Sequence, residues 1–369
     1  MAGSAFGTIF RITTWGESHG KGIGLVVEGC PAGMPLCEED INRYLARRRP
    51  GGSPYHTERR EEDRVEILSG VFEGKTTGTP ISLFVKNTDQ RPGDYDALKQ
   101  IYRPGHADFC YDAKYGFRDH RGGGRASGRE TLARVAGGAV AARVLEEIGI
   151  RLFAYTRSIG EISVDPGSFS PEERDLNPLF MPDKEAATRA LSLIDEYRTR
   201  GDSLGGVVEC LIRGVPAGLG DPVFDKLSAL LGRGILSIGG VRGFEMGDGF
   251  GAALSAGSVQ NDPFENRGGI IRKKTNHAGG IQGGISDGSD IIFRAAFKPV
   301  SSIALEQETV DREGKPARIH IEGRHDPVIA PRAVVVVETM AACVILDRLL
   351  VNMSSRLDRV KDFYRRWKN

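Results

Sequence analysis

The chain has 369 residues, 40% of them hydrophobic, enough to bury one large core or two smaller ones. Fifty Lys and Arg nearly balance 49 Asp and Glu, for a net charge of +1, which argues against a protein that coats nucleic acid. Five scattered cysteines with no C-x-x-C pair point to a reducing compartment and no metal site, and the start of the chain lacks a basic-plus-apolar signal, so the expected location is cytoplasmic, without a membrane partner.

Glycine accounts for 49 residues, nearly twice the usual share of ~7%, and its spread through ordered-looking sequence predicts many tight turns and close backbone approaches. Near the start, "TTWGESHGKGIG" sets His19 in a glycine-flanked turn before the β-like run "GIGLVVEG". The segment Cys37 to Arg49 begins acidic, ends in Arg47, Arg48 and Arg49, and repeats apolar residues at Ile41 and Leu45. That pattern predicts a helix matched to its own dipole. Its arginines, with Arg59 and Arg60 beyond them, read equally as a solvated basic face and as an anion site. "RVEILSGV" and "ISLFVKN" predict strands, and "YRPGHADF" sets His106 in a second glycine-flanked turn. A histidine in such a turn can approach a ligand and titrates near neutrality, which suits proton transfer; it is also a common structural residue.

The next stretch, "DHRGGGRASGRE", carries Arg121, Arg125 and Arg129 on a backbone loosened by Gly122, Gly123 and Gly124. Ser127 and Glu130 fit a capping box, so the loop is expected to empty into a helix N-terminus and offer N–H groups to an anion. A solvated basic loop and a single RGG-type RNA segment are the other readings. The helix that follows, to Gly149, carries a stripe of Leu132, Val135, Ala139, Leu145 and Ile148.

Further helices are predicted over Asp183 to Gly201 and Pro222 to Ser237, and strands at "GGVVECLIRGV" and "DIIFRAAFKPV". "NHAGGIQGGISDGSD" reads as a run of turns around His277. "FKPVSS" and "EGRHDP" bring a lysine, a serine pair, Arg324, His325 and Asp326, which read as a salt-bridged turn or as a base held ionised by its neighbours. The apolar stretch Ala333 to Leu350 is broken by Glu338 and Asp347 and predicts a strand, "RAVVVVE", running into a core helix from Thr339. The basic tail is expected to be an exposed helix end. An internal echo links "GLVVEGCPAGMPLCEEDINRYLARR" from Gly24 to "GVVECLIRGVPAGLGDPVFDKLSALL" from Gly206; it reads as a recurring turn or as two related halves around one core.

No Walker loop, dinucleotide fingerprint, H-E-x-x-H or G-x-S-x-G is present. The ordered series "GESHG", "RRRPG", "NTDQRPGDY", "RPGHAD", "YGFRDHRGGGRASGRE", "GVPAGLG", "MGDGF", "NHAGGIQGG", "KPVSS" and "GRHDP" resembles the chorismate synthase family along nearly the whole chain. The resemblance implies an α+β sandwich with helices between antiparallel sheet layers, one domain over residues 1–369, assembled as a homotetramer. It implies a lyase of the shikimate pathway, which serves aromatic amino acid biosynthesis. Its substrate would be 5-enolpyruvylshikimate 3-phosphate, from which phosphate leaves by anti-1,4 elimination to give chorismate, with reduced FMN required but no net redox change.

The resemblance also implies roles. His19 would protonate the departing phosphate, His106 would sit by the flavin and tune its charge, and Asp326 would help the flavin accept the substrate proton. Flavin contacts would fall on Arg125, Ala126 and Ser127, on Gly239 and Gly240, on Gly283, on Lys298, Pro299, Val300, Ser301 and Ser302, and on Arg324. Arg48 matches an arginine assigned to NADP, and it could equally clamp substrate, as could Arg49 and Arg129. Pro54 replaces a basic residue of some relatives and weakens an NADP site. No extra flavin-reductase domain is evident in the sequence, so NADPH is expected as an indirect reductant acting through a separate flavin reductase. An ordinary flavin or NADPH oxidoreductase and an RNA-binding module are the readings from other classes.

Overall fold

Residues 3–49, 62–88, 99–321 and 326–365 are described by the computed structural model, in which two five-stranded antiparallel sheets flank a layer of helices. The first half runs β1 (Ala5–Phe6), β2 (Arg11–Gly16), β3 (Gly22–Glu28), α1 (Glu38–Arg48), β4 (Val65–Ile67), a hairpin of β5 (Val71–Phe72) and β6 (Lys75–Thr76), and β7 (Ile81–Lys86). Then come α2 (Asp108–Tyr115) and α3 (Thr131–Glu147). The second half runs β8 (Arg151–Ile159), β9 (Ile162–Ser163), α4 (Lys184–Thr199), β10 (Gly206–Arg213), α5 (Leu227–Leu236) and β11 (Val241–Met246). It continues through α6 (Gly257–Gln260), β12 (Phe264–Arg267) and β13 (Ile270–Lys273) to a hairpin of β14 (Ile281–Gln282) and β15 (Ile285–Ser286). After β16 (Ile291–Phe297), β17 (Gln307–Val310) and β18 (Pro316–Ile319), the chain ends with α7 (Ala330–Asn352) and α8 (Leu357–Arg365).

The sheet orders are β1-β2-β3-β7-β4 and β9-β8-β10-β16-β11. Of these, β2-β3-β7-β4 and β8-β10-β16-β11 correspond strand for strand, whereas the edge strand β1 precedes its neighbour in the chain and β9 follows its own. The echo in the sequence extends to individual hydrogen bonds. In the first half Thr76 Oγ1 donates to Pro31 O at 2.6 Å and accepts from Met34 N at 3.0 Å. In the second, Ser286 Oγ donates to Pro216 O at 2.6 Å and accepts from Leu219 N at 2.9 Å. Each hydroxyl thus pins a Pro-Ala-Gly turn to its hairpin, and the two halves are structurally related around one shared core.

The centre of that core is the packing of α3 on α7. A side chain at Gly138 would begin 2.3 Å from Thr339 O, so only glycine permits this approach of the two helices. Helix α7 corrects the expected strand at "RAVVVVE": the segment is helical from Ala330, with Pro331 in its first turn. Val334, Val335, Val336 and Val337 are all buried, and contact on every side outweighs the mild helix cost of β-branched residues. Glu338 and Asp347, which interrupt the apolar run, are buried acceptors. Glu338 takes a two-pronged ion pair from Arg47 at 2.6 and 3.1 Å, and Asp347 accepts the N–H groups of Thr8, Ile9 and Phe10. No helix among the described residues is long and apolar enough to cross a membrane.

Two local expectations also need correction. Ile148 is the C-cap of α3, past its last helical residue Glu147, and is exposed there instead of continuing the buried stripe. Ser127 does cap, accepting from Arg129 N at 3.3 Å, but Glu130 turns away to Arg134 at 2.8 Å, so the reciprocal half of the capping box is absent.

Candidate functional site

The hairpin of β2 and β3 carries His19 on its five-residue connection, residues 17–21. Ser18 Oγ lies 3.0 Å from His19 Nδ1. Gly122, from the arginine-glycine loop, packs against the imidazole: a side chain there would begin 2.2 Å from Nδ1. The amide of Asn87, just beyond β7, donates to carbonyls of the same turn.

Asn87 opens onto a buried polar cluster. Its Oδ1 accepts from Arg129 Nε at 2.7 Å, and Arg129 Nη1 donates to Asp63 Oδ1 at 2.9 Å. The other oxygen of Asp63 accepts from Arg48 Nη1 at 2.8 Å, and Arg48 Nε reaches Thr131 Oγ1 at 3.0 Å. Arg332 donates to the Arg48 carbonyl at 3.0 Å and forms an ion pair with Asp326. Burial pushes the Arg48 guanidinium down; Asp63 opposes this, and Arg332 and Arg129 add to it, to about 10, so Arg48 is still a cation at neutral pH. Among the described residues, three guanidiniums (Arg48, Arg129, Arg332) meet two carboxylates (Asp63, Asp326) here. The arginine trio closing α1 is therefore neither a plain solvated face nor wholly open to an anion: Arg47 pairs with Glu338, Arg48 with Asp63, and the exposed Arg49 donates to Glu62 O at 3.3 Å.

The arginine-glycine loop is more self-satisfied than its composition suggests. It forms two short 3₁₀ turns, Gly124–Ala126 and Gly128–Glu130. The N–H groups of Ala126, Ser127, Arg129 and Glu130 all donate within the loop, so the expected ready-made anion site at the helix start is largely closed. Arg125 lies across the end of β2, donating to Gly16 O at 3.1 Å and to Thr14 O at 3.3 Å. It lines a cleft of about 490 Å³ with Thr14, Trp15, Glu17 and Lys21. Arg121 pairs on the surface with Asp119 at 2.7 Å.

A second cluster forms where "RPGHAD" meets "KPVSS". His106 Nδ1 lies 3.0 Å from Pro104 O and Nε2 lies 3.0 Å from Ser302 Oγ. Burial, with the nearby Arg103 cation, holds the imidazole below its ordinary value, so it is neutral at pH 7. Lys298 Nζ donates to Gly105 O at 2.9 Å and contacts Ser301 Oγ, and a side chain at Gly105 would begin 2.4 Å from that hydroxyl. Burial and then the Arg242 charge lower the Lys298 ammonium. Gly240 O accepts from Lys298 N at 2.9 Å, and Val300 O accepts from Ser203 Oγ at 2.7 Å. Helix α2 follows directly from His106, and its Tyr111 interacts with Arg125, Glu17 and Ala126, which ties the second cluster to the first.

His19, Arg48, Arg125, Arg129 and Asp326 thus belong to one connected neighbourhood, and His106, Gly240, Lys298, Ser301 and Ser302 to an adjoining one. Pro299 packs beside Gly205. Gly283 lies on the β14–β15 hairpin, whose Gly284 meets Asp221 and Lys226. Arg324, His325 and Pro54 lie outside the described residues. Sequence reasoning did not single out Asp63 or Asn87. The available signal was an Asn closing a strand ahead of a glycine-proline loop, and an acidic residue after a run of arginines.

Comparison with known proteins agrees on one family. The sequence profile described as chorismate synthase matches residues 10–350. The chorismate synthase of Agathobacter rectalis is 57% identical over 366 residues, covering 99% of this chain and all of the relative. That of Lachnoclostridium phytofermentans is 58% identical over 367 residues, again 99% and 100% of the two chains. A crystal structure of a chorismate synthase, 32% identical, superposes with a TM-score of 0.75 over 98% of each chain.

Proposed function

The chain belongs to the chorismate synthase family and is a lyase that converts 5-enolpyruvylshikimate 3-phosphate to chorismate and phosphate, and we propose that the His19 and His106 clusters are the two poles of its active site. In the 1,4 elimination the C3–O bond breaks with its electron pair going to phosphate. A ring C6–H bond also breaks, and its electrons become ring unsaturation, so no net oxidation occurs. A substrate with a phosphate and two carboxylates needs fixed cations to orient it and to stabilise the leaving group. The convergence of Arg48, Arg129 and Arg332 supports that part of the reading, with the exposed Arg49 next to Arg48 in sequence.

His19 is the group we assign to protonate the departing phosphate, and Asp326, oriented by Arg332, the carboxylate that assists loss of the ring proton. The observation that carries the reading is the contact of the His19 turn with both the arginine cluster, through Asn87, and the glycine loop, through Gly122.

Reduced FMN fits the second pole. Among the described residues, nothing but its chain neighbours lies within 4 Å of where a Gly239 side chain would begin, beside the Gly240–Lys298 contact, and Gly105 leaves room only for backbone against Ser301 and Lys298. We assign its holding to Arg125 through Ser127, Gly239, Gly240, Lys298 through Ser302 and Arg324, with Gly283 joining by family resemblance alone. The chemistry it supplies when bound is transient electron donation toward the C–O bond that breaks. Neutral His106 keeps a further cation away from that region.

Arg48 is committed to Asp63 and Thr131, which favours reduction by an outside flavin reductase, with NADPH as indirect reductant, over an NADPH site on this chain. Exposed Phe250 and Leu254 after β11, and Ile271 on β13, suit association of copies into a homotetramer. Anaerobic mixing of the protein with chemically reduced FMN and 5-enolpyruvylshikimate 3-phosphate tests the reading: chorismate and phosphate are expected together, and His19→Ala is expected to abolish most turnover. Chorismate formed from the same substrate with NADPH and oxidised FMN in place of chemical reduction would overturn the requirement for an outside reductase.

A further inference from the structure

We infer that Asn87 is a positioning residue for His19, setting the turn from which the proton is delivered; this rests on the reading of His19 as the proton donor. The chain geometry makes Asn87 the natural anchor. It is the first residue after β7, where Lys86 pairs with Gly22, the first residue of β3, so sheet register brings it against the exit of the 17–21 turn. Its backbone N–H donates to Lys21 O at 3.1 Å. Its side-chain amide lies 3.0 Å from Glu17 O, 3.4 Å from Ser18 O and 2.8 Å from Gly20 O. Four of the five carbonyls in the turn therefore converge on one residue, and the missing one is that of His19 itself.

The amide orientation is fixed from the other side. Oδ1 accepts from Arg129 Nε, and Arg129 is fixed by Asp63, so only the NH₂ group can face the turn. Asn87 is 5% exposed, which removes water as a substitute donor for those carbonyls. The side chain is thus a two-ended strut: one end on the arginine that we assign to substrate, the other on the backbone that carries the acid. Displacement of a reacting group by about 1 Å is enough to lower turnover on the order of 10²-fold, so a strut of this kind acts on rate without touching substrate.

Asn87→Asp separates the two ends. The carboxylate still accepts from Arg129, but it meets the turn carbonyls with repulsion in place of donation. We expect kcat to fall roughly 10- to 100-fold with KM for the phosphorylated substrate within about twofold. The His19 imidazole signal in a histidine-¹⁵N-labelled protein, assigned by its loss in His19→Ala, should shift. In a His19→Ala background, Asn87→Asp should change turnover little further. A raised KM at unchanged kcat would show that Asn87 works through Arg129 and would overturn the proposal, as would an equal loss of turnover with and without His19. If His19→Ala keeps wild-type turnover, the proton-donor reading fails, and the imidazole shift still reports whether Asn87 positions the turn. Should Asn87→Asp not fold, the same shift is read in Asn87→Ser, and an unmoved His19 signal there counts against the idea.

Discussion

Gly122 and His19 are in such close contact that a methyl group on the glycine would begin 2.2 Å from Nδ1 and 2.5 Å from Cε1 of the ring. The nearest atoms belong to the far end of a side chain, so the ring can swing aside while the backbone stays in place. Gly122→Ala is therefore expected to fold with nearly wild-type stability and to lose turnover, on the order of 10²-fold for a displaced catalytic group. Steady-state kinetics beside a thermal melt decide it; a large drop in Tm with normal kcat would contradict the assignment.

How much of this was legible in the sequence depends on the range of each interaction. The two histidine turns, the α1 dipole pattern and the Pro-Ala-Gly echo are local, and they appear as read. The valine run of α7 was misread because β propensity is local, whereas its surroundings, α3 and the second sheet, come from the whole chain. Asp63 escaped notice because Arg129 lies 66 positions away, and only the fold brings Arg48 to the other oxygen of the same carboxylate. The loop N–H groups were expected to be open; their internal bonds arise from 3₁₀ turns that the glycines permit without signalling.

Asp63 pairs with two buried arginines at once, and its own side chain is fully buried. Asp63→Asn removes the charge that Arg48 and Arg129 share, while Arg332 keeps its pair with Asp326. Breaking a buried pair from one side costs about 3–5 kcal/mol, and urea denaturation should register a loss of that order. The same deficit of negative charge should make the variant more responsive to an added anion. Inorganic phosphate is expected to raise its Tm more than it raises that of the wild type. Equal shifts in the two proteins would argue that the cluster does not accept anions.

Acid stability should change in two windows set by one turn. His106 is held below its ordinary value by burial and by Arg103, so the unfolded chain takes up its proton first as pH falls. Its contribution is complete above the ordinary histidine value of about 6.5 and declines below it. Burial pushes Asp108 up, but hydrogen bonds and charge from Arg103, with the Arg118 charge, bring it down to about 2. That carboxylate contributes about 2 kcal/mol, present above pH ~4 and lost as pH falls toward ~2. Chemical denaturation across pH should show both steps. His106→Gln should remove the first and Asp108→Asn the second, and a second step that survives Asp108→Asn would refute this account.

Gly138 gives the opposite case to Gly122. A methyl group there would begin 2.3 Å from Thr339 O and 2.4 Å from Thr339 Cβ, at the crossing of α3 and α7 where the two halves of the fold meet. Backbone cannot swing aside as an imidazole can, and the Thr339 hydroxyl is already committed to Val335 O at 2.7 Å. Gly138→Ala must push the helices apart, opening gaps among the valines of α7. Overpacking of this kind costs typically about 1–3 kcal/mol and, against rigid backbone, sometimes more, which outweighs the roughly 0.8–1 kcal/mol that alanine gains in helix propensity. The expected result is a lower urea midpoint with kcat per folded molecule unchanged, because neither histidine turn touches the crossing. Unchanged stability would mean that the helices are not packed as closely as Gly138 and Thr339 require.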